Sequence, residues 1–60
     1  MPEEETFEES IVAMLKQGRF RECVIACKYE FDSDNAIRNH NWVVDVANKH
    51  EIDLDKAMGK

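Results

Sequence analysis

The sequence predicts an all-α fold: a compact three-helix domain with a short C-terminal helical turn. Three observations carry this reading. Apolar residues recur at helical spacing in three successive segments. Turn and cap residues separate those segments, at Gly18, at Asp32-Ser33-Asp34-Asn35 and at Asp53, with Gly59 near the end. The composition is globular and helix-friendly, with 43% hydrophobic and 35% charged residues and only 2 Gly and 1 Pro in 60. A chain of this length has room for one domain, spanning residues 1–60.

The first helix is expected over about residues 5–17. Its acidic start suits a helix N-terminus, and Thr6 with Glu9 three residues later fits a capping box. Pro2 equally suits the first turn of an earlier start. Phe7, Ile11, Met14 and Leu15 follow on one face, with Val12 at its edge. Gly18 reads as the left-handed residue that ends the helix.

The second helix is expected over about 20–30. Phe20, Cys23, Val24, Cys27 and Phe31 form a stripe at helical spacing. A strand competes, because Cys23, Ile25, Cys27, Tyr29 and Phe31 also alternate with period two. Helix is preferred, since the only candidate partner strand is Trp42 to Val46 and a lone two-stranded pair is marginal.

The third helix is expected over about 34–49, capped by Asp32, Ser33 or Asp34. Its inner face is read as Ile37, Val43, Val44 and Ala47, with Ala36 and His40 alongside. A short turn over 54–58 follows, with Asp53 as cap, Ile52 stapled onto Ala57, and Leu54 and Met58 folded back onto the core.

Charge and cysteine content bound the function. With 13 acidic against 8 basic residues the net charge is -5, so general binding to nucleic acid or to an anionic membrane is disfavoured. The apolar runs are far too short to span a bilayer. The acidic N-terminus, Met-Pro-Glu-Glu-Glu, is unlike a signal peptide, and a cytoplasmic location is the expectation. Cys23 and Cys27, one helical turn apart, are read as buried, reduced thiols.

Candidate chemistry is sparse. Cys23 and Cys27 with His40 and His50 are zinc-ligand types, but the spacing is not a zinc knuckle and both cysteines fall on the expected core stripe. Glu4, Glu5 and Glu8 are magnesium-ligand types, although an acidic helix start usually serves the dipole. Cys–His catalysis needs an exposed thiolate, which these positions do not promise. No cofactor and no enzymatic activity are therefore expected.

Two segments resemble known families. Ala47-Asn48-Lys49-His50-Glu51-Ile52-Asp53-Leu54-Asp55-Lys56-Ala57 resembles the closing segment of the all-α nucleotide pyrophosphohydrolases of the MazG type. That family holds magnesium with Glu-Glu-x-x-Glu, matched here by Glu4-Glu5-Thr6-Phe7-Glu8, and a later Glu-x-x-Asp. The latter positions fall near Asn35 and Arg38, neither of them acidic. Gly18-Arg19-Phe20-Arg21-Glu22-Cys23 is similar to the second-helix start of a tetratricopeptide repeat, which implies a helical hairpin packing Cys23 against its neighbour. The repeat's Trp and Leu-Gly positions are missing, and one repeat cannot bury its faces alone. Neither resemblance assigns a family.

The remaining signal is an excess of apolar surface. Ile25 and Tyr29 fall opposite the main stripe of the second helix. The apolar residues of the third helix cover an arc of roughly 220°, wider than one small core requires. Ile25, Tyr29, Trp42 and Val46 are the candidate interface, with Trp42 as anchor. The expected function is a small non-enzymatic protein–protein interaction module, a regulator or adaptor that self-associates as a homodimer. Two alternatives are a small acidic inhibitor of a host nucleic-acid enzyme and a helical protein binding a divalent metal or nucleotide.

Overall fold

Thr6 opens the described chain by capping the first helix. Its hydroxyl accepts from the Glu9 N–H at 3.1 Å, and the Glu9 carboxylate accepts from the Thr6 N–H at 3.1 Å. This reciprocal capping box satisfies two donors that helix geometry leaves unpaired. The computed structural model describes residues 6–59; the expected start at residue 5 and the suggested role of Pro2 lie outside them. Four helices follow, α1 (Phe7–Lys16), α2 (Phe20–Phe31), α3 (Ala36–Lys49) and α4 (Leu54–Ala57). The segment from Cys23 to Phe31 is helical, and the competing strand reading is discarded.

Helix ends follow the turn chemistry. At the end of α1 the Gly18 N–H donates to the Leu15 carbonyl at 3.0 Å and the Arg19 N–H to the Met14 carbonyl at 3.0 Å, the paired bonds of a Schellman motif. Gly18 has φ +78°, and a Cβ there would lie 3.2 Å from the Lys56 carbonyl oxygen. The absence of a side chain thus serves both the left-handed turn and the approach of α4. Asp32 and Glu51 take the left-handed conformation, with φ 50° and 56°, at the ends of α2 and α3. Asp32 therefore terminates α2 and does not cap α3. The α3 cap is Asn35, whose Oδ1 accepts from the Arg38 N–H at 3.0 Å, so none of the three expected cap residues holds that position. Asp53 caps α4 as expected, accepting from the Asp55 N–H at 2.9 Å.

The core joins all four helices. Ile11 and Leu15 of α1, Phe20, Cys23 and Cys27 of α2, Val43, Val46 and Ala47 of α3, and Ala57 of α4 are buried together. Ile52 and Leu54 pack against this cluster, while Met58 stays exposed. The last turn is therefore anchored by Ala57, not by Met58. Among the described residues the one buried polar side chain is Asn39, which donates from Nδ2 to the Ser33 carbonyl at 3.1 Å. That bond ties the α2–α3 turn to α3 and removes the cost of burying the amide.

Several assignments on α3 are corrected: Ala36 and His40, placed alongside the inner face, are exposed, and Ile37 and Val46 change sides. Ile37 was expected on the inner face, yet it is 74% exposed. The buried face runs through Asn39, Val43, Val46 and Ala47, and at about 100° per residue Ile37 stands about 180° from Val46. Val46 was expected on a second, outward surface, yet it is only 5% exposed and belongs to the core. It lies about 40° from Trp42, on the core side.

Candidate interaction surface

Trp42 sits where core and surface meet. It is half-buried and packs against the core cluster. Its ring lies 5.4 Å from that of Phe7 and 5.2 Å from that of Phe31, and Phe7 and Phe31 are 5.5 Å apart, edge to face. Each α-helix from α1 to α3 thus contributes one ring to a mutual cluster at favourable aromatic separations. The spacing of these rings along the chain gives no hint that they meet, because the cluster depends on how three helices pack.

Beside the cluster runs an open groove of about 570 Å³, lined by Asn35, Ile37, Arg38, Asn41, Trp42 and Asp45. A smaller recess of about 130 Å³ between Phe31, Arg38, Asn39 and Trp42 adjoins it. Arg38, Asn41, Trp42 and Asp45 fall at i, i+3, i+4 and i+7, one stripe of α3. Ile37 at 74% and Phe31 at 43% exposure add apolar surface to the groove and to the recess.

The four expected interface residues are therefore divided. Ile25 and Tyr29 are exposed, on the outer side of α2. Trp42 lines the groove, and Val46 is core. Phe31 stands about 200° around α2 from Tyr29, so Ile25 and Tyr29 project away from the side that meets Trp42. Phe31 packs against Trp42, and Ile37, about 140° around α3 from it, lines the far side of the same groove.

The candidate metal ligands are placed differently from one another. Cys23 and Cys27 are fully buried, and the Cys23 thiol donates to the Ile11 carbonyl at 3.6 Å. The His40 ring packs edge-on against Phe20 with centroids 5.2 Å apart. His50 Nε2 lies 2.7 Å from Glu8 Oε2, which also meets Lys49 Nζ at 3.2 Å. Hydrogen bonds from His50 and then Lys49 hold the Glu8 carboxyl below its ordinary pKa. The stability these contacts contribute is present above that ordinary value and is lost as pH falls through the lowered one. That oxygen is occupied by two donors, and a cation would have to displace them. Glu4 and Glu5 lie outside the described residues, and among the described residues no three His, Cys, Asp or Glu side chains converge as a metal site.

Burial pushes both thiols up to about 11, and for Cys23 the neighbouring Cys27 adds to the effect. Thiolate is the reactive form, so both cysteines should resist alkylation at neutral pH until the chain unfolds. The sign of the pH effect follows from the same shift. Below the ordinary value of 9.0 both states keep the thiol protons, and between there and about 11 the unfolded chain alone loses them. Stability should therefore fall as pH rises across that interval. Thermal melts between pH 8 and pH 11 measure it, and rapid alkylation of the folded protein at pH 7 would contradict it.

Among the described residues no helix is long and apolar enough to cross a membrane. Comparison with protein families, with curated proteins and with solved structures finds no match.

Proposed function

We propose that this chain is a non-enzymatic protein–protein interaction module, a small cytoplasmic regulator or adaptor that self-associates through the groove face of α3. The observation that supports this most is the pairing of a half-buried Trp42 with Ile37, 74% exposed, along one open groove. An aromatic anchor already fixed by two neighbouring rings loses little freedom when a partner covers it. Exposed isoleucine beside it supplies apolar area that association would remove from water.

Size sets the strength. A standard interface takes about 800 Å² from each partner, roughly a sixth of this chain's 4647 Å² surface. An interface confined to one helix face of so small a chain would belong to the weak, reversible class. The net charge of -5 on each copy opposes association. Added salt should therefore leave an apolar contact intact, whereas it would weaken an acidic chain bound to a basic enzyme.

Ile37→Asp tests the reading without disturbing the core. Position 37 lies in the first turn of α3, where an acid complements the helix dipole. The variant should keep the wild-type melting temperature at low micromolar concentration and lose the rise in melting temperature that dimerisation gives at higher concentration. A wild type that sediments as a monomer at millimolar concentration would sink the proposal.

A further inference from the structure

The groove stripe carries its own complement. Arg38 and Asp45 stand at its two ends, both exposed and both lining the groove, with Asn41 and Trp42 between them. Seven residues of helix separate the two charges by about 10 Å, too far for one to satisfy the other within the chain. Their order also runs against the helix dipole. Arg38 lies in the first turn of α3, which has no acid, and Asp45 lies in the C-terminal half, where cations are favoured. The helix by itself gains nothing from this arrangement. The residue numbers are symmetric about the midpoint between Asn41 and Trp42, since 38 and 45 are equally distant from it.

We infer that a second copy of this chain docks antiparallel along α3 about a two-fold axis between Asn41 and Trp42, pairing Arg38 of each chain with the partner's Asp45. This rests on the self-association proposed above and specifies its geometry. A two-fold contact is self-complementary: whatever position 38 meets on the partner, position 38 of the partner meets in return. The antiparallel register puts opposite charges together twice and places each Trp42 opposite the partner's Asn41. A parallel pairing in register would put Arg38 against Arg38 and Asp45 against Asp45. The charges thus select the orientation, while Ile37, Trp42 and Phe31 supply the apolar contact.

Charge exchange tests the register in the full chain. Arg38→Glu and Asp45→Lys should each weaken self-association by about tenfold or more in low salt, since each puts like charges together at two symmetric sites. Both substitutions agree with the α3 dipole, so a loss of dimer would not reflect a loss of helix. Circular dichroism at low concentration checks this. Mixing the two variants should restore a heterodimer, because position 38 of either chain then meets an opposite charge at position 45 of the other. The double variant Arg38→Glu/Asp45→Lys should self-associate as the wild type does. Sedimentation equilibrium reads each case, with Trp42 fluorescence as a second reporter. A wild-type dimer that neither single variant weakens, or variants that fail to recombine on mixing, would overturn the register while leaving the interaction module standing. A wild type monomeric at millimolar concentration would overturn both.

Discussion

Leu15→Ala is expected to cost about 3–5 kcal/mol of unfolding free energy. Leu15 is 1% exposed and lies in the cluster that joins all four helices. Truncating a buried leucine loses its transfer free energy and leaves a cavity that neighbours fill only in part. A 60-residue domain has roughly 3–9 kcal/mol in total, at about 0.05–0.15 kcal/mol per residue. The variant should therefore lose a large fraction of its stability. Val24→Ala is the internal comparison. Val24 falls on the same helical stripe as Cys23 and Cys27 but is only half-buried, and its truncation should cost about 1 kcal/mol or less. Urea denaturation followed by circular dichroism measures both, and equal losses would mean that the core is not centred on Leu15.

Trp42→Ala should have the second largest effect, about 2–4 kcal/mol. The ring is half-buried, which keeps the cost below that of a core tryptophan, but it is shared by Phe7 and Phe31, and each aromatic contact contributes about 0.5–1.5 kcal/mol beyond burial. Trp42→Phe retains a ring between those neighbours and should recover more than half of the loss. Because Trp42 also lines the groove, Trp42→Ala should abolish self-association as well. Denaturation at dilute concentration isolates the stability effect from the dimer, and a Trp42→Ala variant as stable as the wild type would remove the cluster from the fold's energetics.

Much of the architecture is legible along the chain, and the reasons are local. Thr6 and Glu9 announce the start of α1 because a capping box needs only four consecutive residues. Gly18 and Asp53 mark a stop and a start for the same reason. The α3 cap is missed because Asp32, Ser33, Asp34 and Asn35 are all competent caps, and the choice among them depends on where α2 ends. Asp32 takes the left-handed turn that terminates α2, and Asn39 reaches back to the Ser33 carbonyl. The Ser33 hydroxyl accepts from the Asn35 N–H at 3.2 Å, and Asn35, one residue further on than Asp34, is the residue whose side chain accepts from the Arg38 N–H and caps α3.

Of the four residues read as a surface, Ile25 and Tyr29 are exposed, Trp42 is half-buried at the core's rim and Val46 is buried. Trp42 stands out as a large aromatic at the rim of an apolar arc. The apolar arc of α3 is wider than one core face, so apolar character by itself does not say which edge of it faces inward, and Ile37 and Val46 exchange places. Burial of a polar residue, Asn39, rotates the true inner face away from Ile37. A count of helical positions centred on Asn39, Val43, Val46 and Ala47 would have found this, but only with the knowledge that an asparagine is buried and satisfied.

By itself the sequence determines the predominantly helical class, the first and third helices with the short last turn, the burial of both cysteines and the exposure of Ile25 and Tyr29, because these depend on periodicity and on capping chemistry within a few residues. Over Cys23 to Phe31, where two periods coexist, it yields only a preference for helix. The tertiary structure alone decides that Phe7, Phe31 and Trp42 meet and that Ile37 and Arg38 line the groove beside them. It also decides that Glu8 is held by Lys49 and His50. Those contacts join residues from different helices, and helix spacing fixes a side chain's angle about its own axis but not the packing angle and register between two helices.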